Sequence, residues 1–187
     1  MTNLTESVGR LFLDRIFHVP DYQRGYAWEK KQWDDLLQDL ELLPKGRNHF
    51  TGTIVLCPNS HFSSPFRDEE GRLYTNVDII DGQQRLTTIV LLLLVVQAEM
   101  MQIPGLERLA VGIRELYLAV RDRNQQWQTK LRLNRDSQAF FEEALLAEAL
   151  GKHVAIGGAR IRSHERLSGA ANHFQSFLRA RREELAE

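Results

Sequence analysis

A short polar motif follows a strand-like apolar run near the middle of the chain. Residues 77–80 (VDII) lead into Asp81-Gly82-Gln83-Gln84-Arg85, and a long aliphatic stretch comes next. If a helix begins just after Asp81, Gly82 lets the backbone turn closely and the first helical N–H groups are free. A helix N-terminus carries partial positive charge, and Arg85 would add a charge-assisted hydrogen bond of about 1.5–3 kcal/mol. The pattern is typical of a phosphate-binding site.

The other side chains of this motif add further chemistry. Gln83 and Gln84 offer both donors and acceptors, which suits phosphate, ribose or a water positioned for attack. Asp81, if it faces the same pocket, could hold a divalent metal or polarise a water. A structural alternative stays open, because Asp81 is a good N-cap and Gln84 stands three residues later, which makes an acceptable capping box. Capping leaves Gln83 and Arg85 unexplained.

A second candidate segment lies upstream and combines aromatic, amide and basic side chains. It reads Tyr22-Gln23-Arg24-Gly25-Tyr26-Ala27-Trp28. A nucleobase could stack on Tyr26 or Trp28 while Arg24 reaches a phosphate. Alternatively, Tyr26 and Trp28 are hydrophobic staples that fix the entry of the following helix. Farther on, Gly52 within a strand-like run suggests a bulge or a close approach, for which packing is an adequate cause.

The periodicity of apolar residues predicts an α+β fold. We expect a small mixed α/β core over residues 1–103 and a helical extension over residues 104–187. The predicted strands are 16–19, 50–57 and 73–80, and the predicted helices are 29–43, 86–101, 106–120, 137–150 and 163–185.

Charge and cysteine content exclude several classes of protein. The net charge is −1, and the one cysteine among the 187 residues permits neither an internal disulfide nor a cysteine-based zinc cluster. None of the histidines shows an HExxH spacing. The longest apolar run, residues 89–96, is far shorter than the roughly 20 residues of a membrane span, and no signal peptide opens the chain. We therefore expect a cytoplasmic protein without membrane contact.

Basic side chains recur in the second half of the chain. Residues 1–103 hold 10 Lys and Arg against 14 Asp and Glu, whereas residues 104–187 hold 14 against 11. Arg132, Arg135, Arg160 and Arg162 stand at alternating or helical spacing and could meet DNA phosphates. Solvated helix faces with internal ion pairs explain the same residues.

The ordered motifs resemble a known family. Residues 19–28 (VPDYQRGYAW), 49–56 (HFTGTIVL) and 80–88 (IDGQQRLTT) are similar to successive signatures of the N-terminal domain of GmrSD-type modification-dependent restriction endonucleases and related phage-defence proteins. The core of that domain resembles the ParB/sulfiredoxin nucleotide-processing fold. The resemblance covers nearly the whole chain.

The resemblance implies nucleotide binding and hydrolysis. By this likeness Asp81, Gln83, Gln84 and Arg85 would be the catalytic residues, in contact with the phosphates and the attacking water. The nucleoside triphosphate would be bound with Mg²⁺ near Asp81, while no metal site is implied by a protein motif. The nucleotide site would be completed by Tyr22, Gln23, Arg24, Gly82 and Thr87.

The same resemblance implies partners. The domain would regulate an HNH-type nuclease that cuts DNA, and a homo-oligomer is an open expectation. The nuclease signature does not occur in these 187 residues, so we expect it on a longer polypeptide or on a partner subunit, unless this is a shortened paralogue that has lost it. Two other functions stay open: a non-catalytic ParB-like nucleotide switch or DNA-binding module, and an interaction protein in which the capping box is purely structural.

Overall fold

The computed structural model describes residues 5–59, 66–147, 149–150 and 158–186, which contain both strands and helices. The strands are β1 (Arg15–His18), β2 (Val55–Pro58), β3 (Phe66–Arg67), β4 (Leu73–Asp81), β5 (Ala119–Arg121), β6 (Trp127–Thr129) and β7 (Leu131–Arg132). The helices are α1 (Val8–Leu11), α2 (Lys30–Glu41), α3 (Gln83–Met101), α4 (Glu107–Ile113), α5 (Arg135–Phe140) and α6 (Arg162–Ala186). Two π-helical segments, Arg114–Leu118 and Phe141–Leu145, extend α4 and α5.

One mixed sheet of five strands is built around β4. The order is β2-β4-β1-β7, and β3 pairs with the beginning of β4. β1 lies parallel to both β4 and β7, whereas β2 and β3 run antiparallel to β4. The strands β5 and β6 form a separate antiparallel hairpin. The predicted mixed α/β architecture is confirmed.

The core is organised around α3, whose 19 residues follow directly on β4. Leu86, Val90, Leu91 and Leu94 are buried in one cluster with side chains from the sheet and from α6. By length and composition alone this helix would also suffice to cross a membrane, but 61% of its most apolar window is buried inside the protein. Such burial is what the central helix of a folded core requires.

The second half of the chain is not purely helical, which corrects our prediction. The helix predicted over residues 106–120 ends as a π-helical segment at Leu118, and the chain continues as β5. β7 then pairs with β1 within the main sheet. The β-branched and aromatic residues at 120, 127 and 129 favour strands, but their runs of two or three residues are too short to show a period.

In the first half, the strand predicted over residues 50–57 begins only at Val55. The residues before Val55 do not pair with a neighbouring strand. Gly52 has φ +101°, and the carbonyl of Thr53 accepts a hydrogen bond from a side chain of α3. The remaining predicted strands and α2, α3 and α6 lie within a few residues of the observed bounds.

Candidate functional site

The polar motif lies at the junction of β4 and α3. Gly82 is the N-cap of α3 and has φ +92°, a conformation that favours glycine. A Cβ atom at this position would lie 3.1 Å from the carbonyl oxygen of Thr53, so a side chain here would also crowd the neighbouring chain. The first N–H groups of α3 have no acceptor within the helix, and no described residue accepts a hydrogen bond from the backbone N–H of Gln83 or Gln84.

The capping box predicted from Asp81 and Gln84 is wrong. Gly82 occupies the N-cap position, and no side chain caps the helix. The Gln84 side chain instead faces the upstream segment: its Oε1 accepts from the Ala27 amide at 2.6 Å, and its Nε2 donates to the Gly25 carbonyl at 3.2 Å. The motif therefore holds a distant piece of backbone and does not close its own helix end.

Two further amides fasten the same upstream segment, which we call loop 23–27. Gln83 Nε2 donates to the carbonyl of Arg24 at 2.8 Å. Gln23 Nε2 donates in the opposite direction, to the carbonyls of Ile79 at 2.5 Å and Ile80 at 3.1 Å. Loop 23–27 is thus bound both to the end of β4 and to the beginning of α3.

The Arg85 side chain does not lie where a residue that binds phosphate in the motif cleft would be expected. Its Nη1 donates to the Thr53 carbonyl at 2.5 Å. The guanidinium lies against Gly52, where a Cβ atom would come within 2.7 Å of Arg85 Cζ. The close approach predicted at Gly52 is therefore made by an arginine side chain of the motif. Arg85 does not line the cleft between the motif and loop 23–27.

That cleft, which we call the motif cleft, has a volume of about 220 Å³. The side chains of Arg24 and Asp81 are exposed. Neither one makes a hydrogen bond or ion pair with another described residue, so both are free to meet a ligand. The residues that line the motif cleft are Gln23, Arg24, Asp81, Gly82, Gln83 and Gln84.

Tyr26 cannot stack on a nucleobase in this structure, which corrects a prediction. Its side chain is only 3% exposed, and its hydroxyl lies between Thr88 Oγ1 at 2.7 Å and Trp33 Nε1 at 2.9 Å. Burial raises the pKa of Tyr26 to about 12. Tyr26 is instead a buried contact that ties loop 23–27 to α2 and α3.

The structure does not bring every predicted residue to the motif cleft. Trp28 is half-buried against the core. Thr87 is 1% exposed, and its buried Oγ1 has no partner among the described residues. Tyr22, next to Gln23 in the chain, is 77% exposed. Of the aromatic residues named in the upstream segment, Tyr22 presents the freest ring.

The arginines predicted to contact DNA occupy several positions. Arg132 donates to Gln128 Oε1 at 3.0 Å on the sheet. Arg135 and Arg160 are exposed near the beginnings of α5 and α6. Arg162 lines a second cavity that also contains Arg24. Arg166, which closes the same basic stretch of the sequence, follows Arg162 by one helical turn and lines the same cavity.

Metal-ligating groups are sparse in the part of the chain that the structure describes. No group of three or more His, Cys, Asp or Glu side chains is placed to hold a metal ion there. Asp81 is the single carboxylate that lines the motif cleft. This donor set fits Mg²⁺ only when phosphate oxygens supply further ligands, which is how proteins commonly bind it.

The fold and the cleft together define a mixed α/β domain with an anion-favouring cleft at a strand-to-helix turn. A family model for the N-terminal domain of GmrSD restriction endonucleases matches residues 8–178. The chain belongs to this family. Among curated proteins, none matches the chain significantly.

Proposed function

We propose that this domain binds a nucleoside triphosphate in the motif cleft and hydrolyses it. The observation that carries this proposal is the convergence of Arg24, from loop 23–27, with Asp81 and the free amides of α3 around one cleft. The arginine and the helix N-terminus favour phosphate, and the carboxylate favours the cation that accompanies it. The sequence motifs of the family led to the same residues.

The backbone around Gly82 supports phosphate binding. Because glycine has no side chain, a phosphate can approach the amides of Gln83 and Gln84 directly. α3 is 19 residues long, so its dipole is fully developed at the cleft. Gly82 and Arg24 would bind phosphate oxygens, while Arg85, Gln84 and Gln23 would keep the surrounding segments in place.

For hydrolysis, Asp81 and the Gln83 side chain are the residues to consider. Gln83 Nε2 is used by the Arg24 carbonyl, whereas its Oε1 makes no hydrogen bond with another described residue. That oxygen would accept a hydrogen bond from the attacking water and orient it. Asp81 would hold Mg²⁺, which when bound neutralises charge on the phosphate oxygens. Water would add to the terminal phosphorus, the bond to the bridging oxygen would break, and the water proton would pass to phosphate.

A second function, a nucleotide switch without turnover, is favoured by a separate observation. The side chains of Gln84 and Arg85 form hydrogen bonds with backbone atoms of the protein itself. Ligand binding next to them would therefore move loop 23–27 and the chain at Gly52 rather than start a reaction. Release of inorganic phosphate with Mg²⁺ separates the two functions, since a switch stays at background even when DNA is present.

We propose that nucleotide binding by this domain regulates a DNA-cutting nuclease, and that the protein acts in the cytoplasm. The family to which the chain belongs is that of restriction endonucleases. An HNH-type nuclease domain or subunit, modified DNA and a second copy of the chain are the partners that this assignment implies. Arg135, at the beginning of α5, is an exposed cation that would meet DNA.

Thermal stabilisation by nucleotides tests the proposal. ATP, GTP, CTP and UTP, each with Mg²⁺, are added to the wild type, Arg24→Ala and Arg123→Ala. Arg123 is an exposed arginine outside the motif cleft and serves as the matched control. We expect at least one nucleotide to raise the Tm of the wild type and of Arg123→Ala, and to have little effect on Arg24→Ala. No stabilisation of the wild type by any of the four would refute nucleotide binding.

A further inference from the structure

A second cavity of about 390 Å³ adjoins the motif cleft. It lies between loop 23–27 and the beginnings of α5 and α6, and Arg24 lines both spaces. Arg162 and Arg166 project into it from successive turns of α6. We call this space the arginine cavity.

The charge of the arginine cavity is positive but partly compensated. Against its three arginines stands one lining carboxylate, Asp136. A second carboxylate, Glu29, contacts Arg166 and lies 3.7 Å from Arg162. The hydrogen bond from Arg166 lowers the pKa of Glu29, because a cationic donor stabilises the charged carboxylate. An external anion bound to Arg166 would occupy the same position.

A buried amide in the wall of the arginine cavity is incompletely satisfied. Asn134 is 6% exposed, and its Nδ2 donates to the carbonyl of Gln23 at 3.1 Å. Its buried Oδ1 has no partner among the described residues. Buried polar atoms are rarely left unpaired, and a ligand hydroxyl or amine would satisfy this acceptor. A ligand that carries both phosphates and hydroxyl groups fits the two requirements together.

The sizes of the two spaces favour a small ligand that reaches across both. Sites for small molecules usually have volumes of about 300–1,000 Å³. The motif cleft, at about 220 Å³, falls below this range, and the arginine cavity adds about 390 Å³. A duplex is too wide to enter such a cavity, whereas a nucleotide is not.

We propose that the arginine cavity is a second phosphate-binding subsite, in which Arg162 and Arg166 bind a phosphate group after it displaces the carboxylate of Glu29. The nucleotide of the proposed function, on which this extension rests, would reach the subsite past Arg24. Glu29 then acts as an internal competitor that lowers affinity until the ligand is seated. Ser163 and Ser137, whose hydroxyls lie 3.1 Å apart, stand beside the arginines as further hydrogen-bonding groups.

Calorimetric titration with inorganic tripolyphosphate, and separately with each of the four nucleotides, tests this subsite. The proteins are the wild type, Glu29→Gln, Arg162→Ala, Arg166→Ala and the control Arg160→Ala. Arg160 is an exposed arginine next to the same helix end but outside the cavity lining. Arg162 is exposed, so its replacement leaves the core unchanged.

We expect Arg162→Ala and Arg166→Ala to bind tripolyphosphate about tenfold more weakly than the wild type. Glu29→Gln should bind it about fivefold more tightly because the competing charge is gone, and Arg160→Ala should be unchanged. Equal affinity in the wild type, Arg162→Ala and Glu29→Gln overturns the subsite.

Two further results separate the alternatives. If Arg162→Ala weakens only the binding of a 12-base-pair duplex, these arginines contact DNA and the subsite is refuted. If the tripolyphosphate pattern is found while no nucleotide binds, the subsite stands and the proposed function fails. Nucleotide binding that depends on Arg24 but not on Arg162 or Arg166 leaves the proposed function and overturns the subsite.

Discussion

The side chains of the motif hold the backbone of loop 23–27 in place. Gln83 and Gln84 each use a side-chain amide to hold that loop, and Gln23 returns a hydrogen bond to β4. An amide can do this because it donates and accepts at once, which a carboxylate cannot. The residues left for a ligand are Arg24, Asp81 and the amides after Gly82. Part of the motif's polarity is therefore explained by hydrogen bonds within the protein, and the remaining polar groups face the motif cleft.

Replacing Gln84 should loosen loop 23–27. In Gln84→Ala the amide of Ala27 and the carbonyl of Gly25 lose their partners, so we expect a loss of about 1–3 kcal/mol in the free energy of unfolding. Gln84→Glu keeps the acceptor for Ala27, but it places a carboxylate in a buried position against the Gly25 carbonyl and should lose at least as much. Urea denaturation measures both. Equal stability of the wild type and Gln84→Ala would contradict the contacts described.

Gly82 should be sensitive to substitution for two reasons, and Gly46 separates them. Both residues have positive φ, +92° and +76°, so alanine at either position costs about 1 kcal/mol of backbone strain. Only at Gly82 would the new Cβ also crowd Thr53 and Ile54, since nothing lies within 4 Å of a Cβ at Gly46. Gly82→Ala should therefore lower the free energy of unfolding by about 1–3 kcal/mol more than Gly46→Ala. Equal losses in denaturant unfolding would show that close approach plays no part.

At the scale of elements, the sequence predicted those with long and regular patterns. The aliphatic run after Arg85 predicted α3, and the spacing of Trp33 and Leu37 predicted α2. The short strands β5 to β7 were missed, because two or three residues show no period and their pairing depends on distant chain.

The candidate site was predictable in its residues but not in their roles. The motif and the segment at residues 22–28 were identified, and the structure brings Gln23 and Arg24 to the motif. The direction of the Gln84 and Arg85 side chains depends on the positions of loop 23–27 and of Gly52, which lie 57 and 33 residues away in the chain. No local pattern reports such contacts, and the same holds for Arg166 beside Arg24.

Lys130, between β6 and β7, should give the protein a distinctive pH dependence. It is 1% exposed, and its Nζ donates to the carbonyls of Phe12 at 3.2 Å and Leu116 at 2.9 Å. Burial lowers the pKa of Lys130 to about 8, below its value in the unfolded chain. Between pH 8 and 10 the unfolded state therefore binds more protons, and stability should rise with pH by about 1 kcal/mol per unit.

The comparison with Lys130→Met isolates this effect from other titrating groups. Urea midpoints at pH 8, 9 and 10 should rise in the wild type relative to the variant. Above pH 10 the raised pKa of Tyr26, about 12, acts with the opposite sign, because the folded state then holds the extra proton. Parallel pH profiles of the two proteins would show that Lys130 does not titrate in this range.

At the scale of the whole molecule, α6 joins the two halves of the chain. Its residues Arg179 and Gln175 donate to Glu99 of α3 at 2.8 and 3.1 Å, and its Phe174 is fully buried in the core. The same helix carries Arg162 and Arg166 to the arginine cavity. The position of those arginines therefore depends on the packing of α6 against α3.

Glu99 should be worth more to stability than a comparable exposed carboxylate. The Glu99 carboxylate is buried, and Glu99→Ala removes the acceptor of Gln175 and Arg179, so we expect a loss of about 1–3 kcal/mol. Glu41, which contacts Arg181 of the same helix, is exposed, and Glu41→Ala should cost at most about 1 kcal/mol. Thermal unfolding of both variants measures the difference. A larger loss for Glu41→Ala would contradict this account of how α6 is held.

Calorimetric titration of the nucleotide that stabilises the wild type most, with Mg²⁺, tests most directly whether the motif cleft binds phosphate. We expect one site per chain, with affinity reduced at least about tenfold by Arg24→Ala and unchanged by Arg123→Ala. A wild-type titration without binding heat, or equal affinity of wild type and Arg24→Ala, would contradict the assignment of the motif cleft to phosphate.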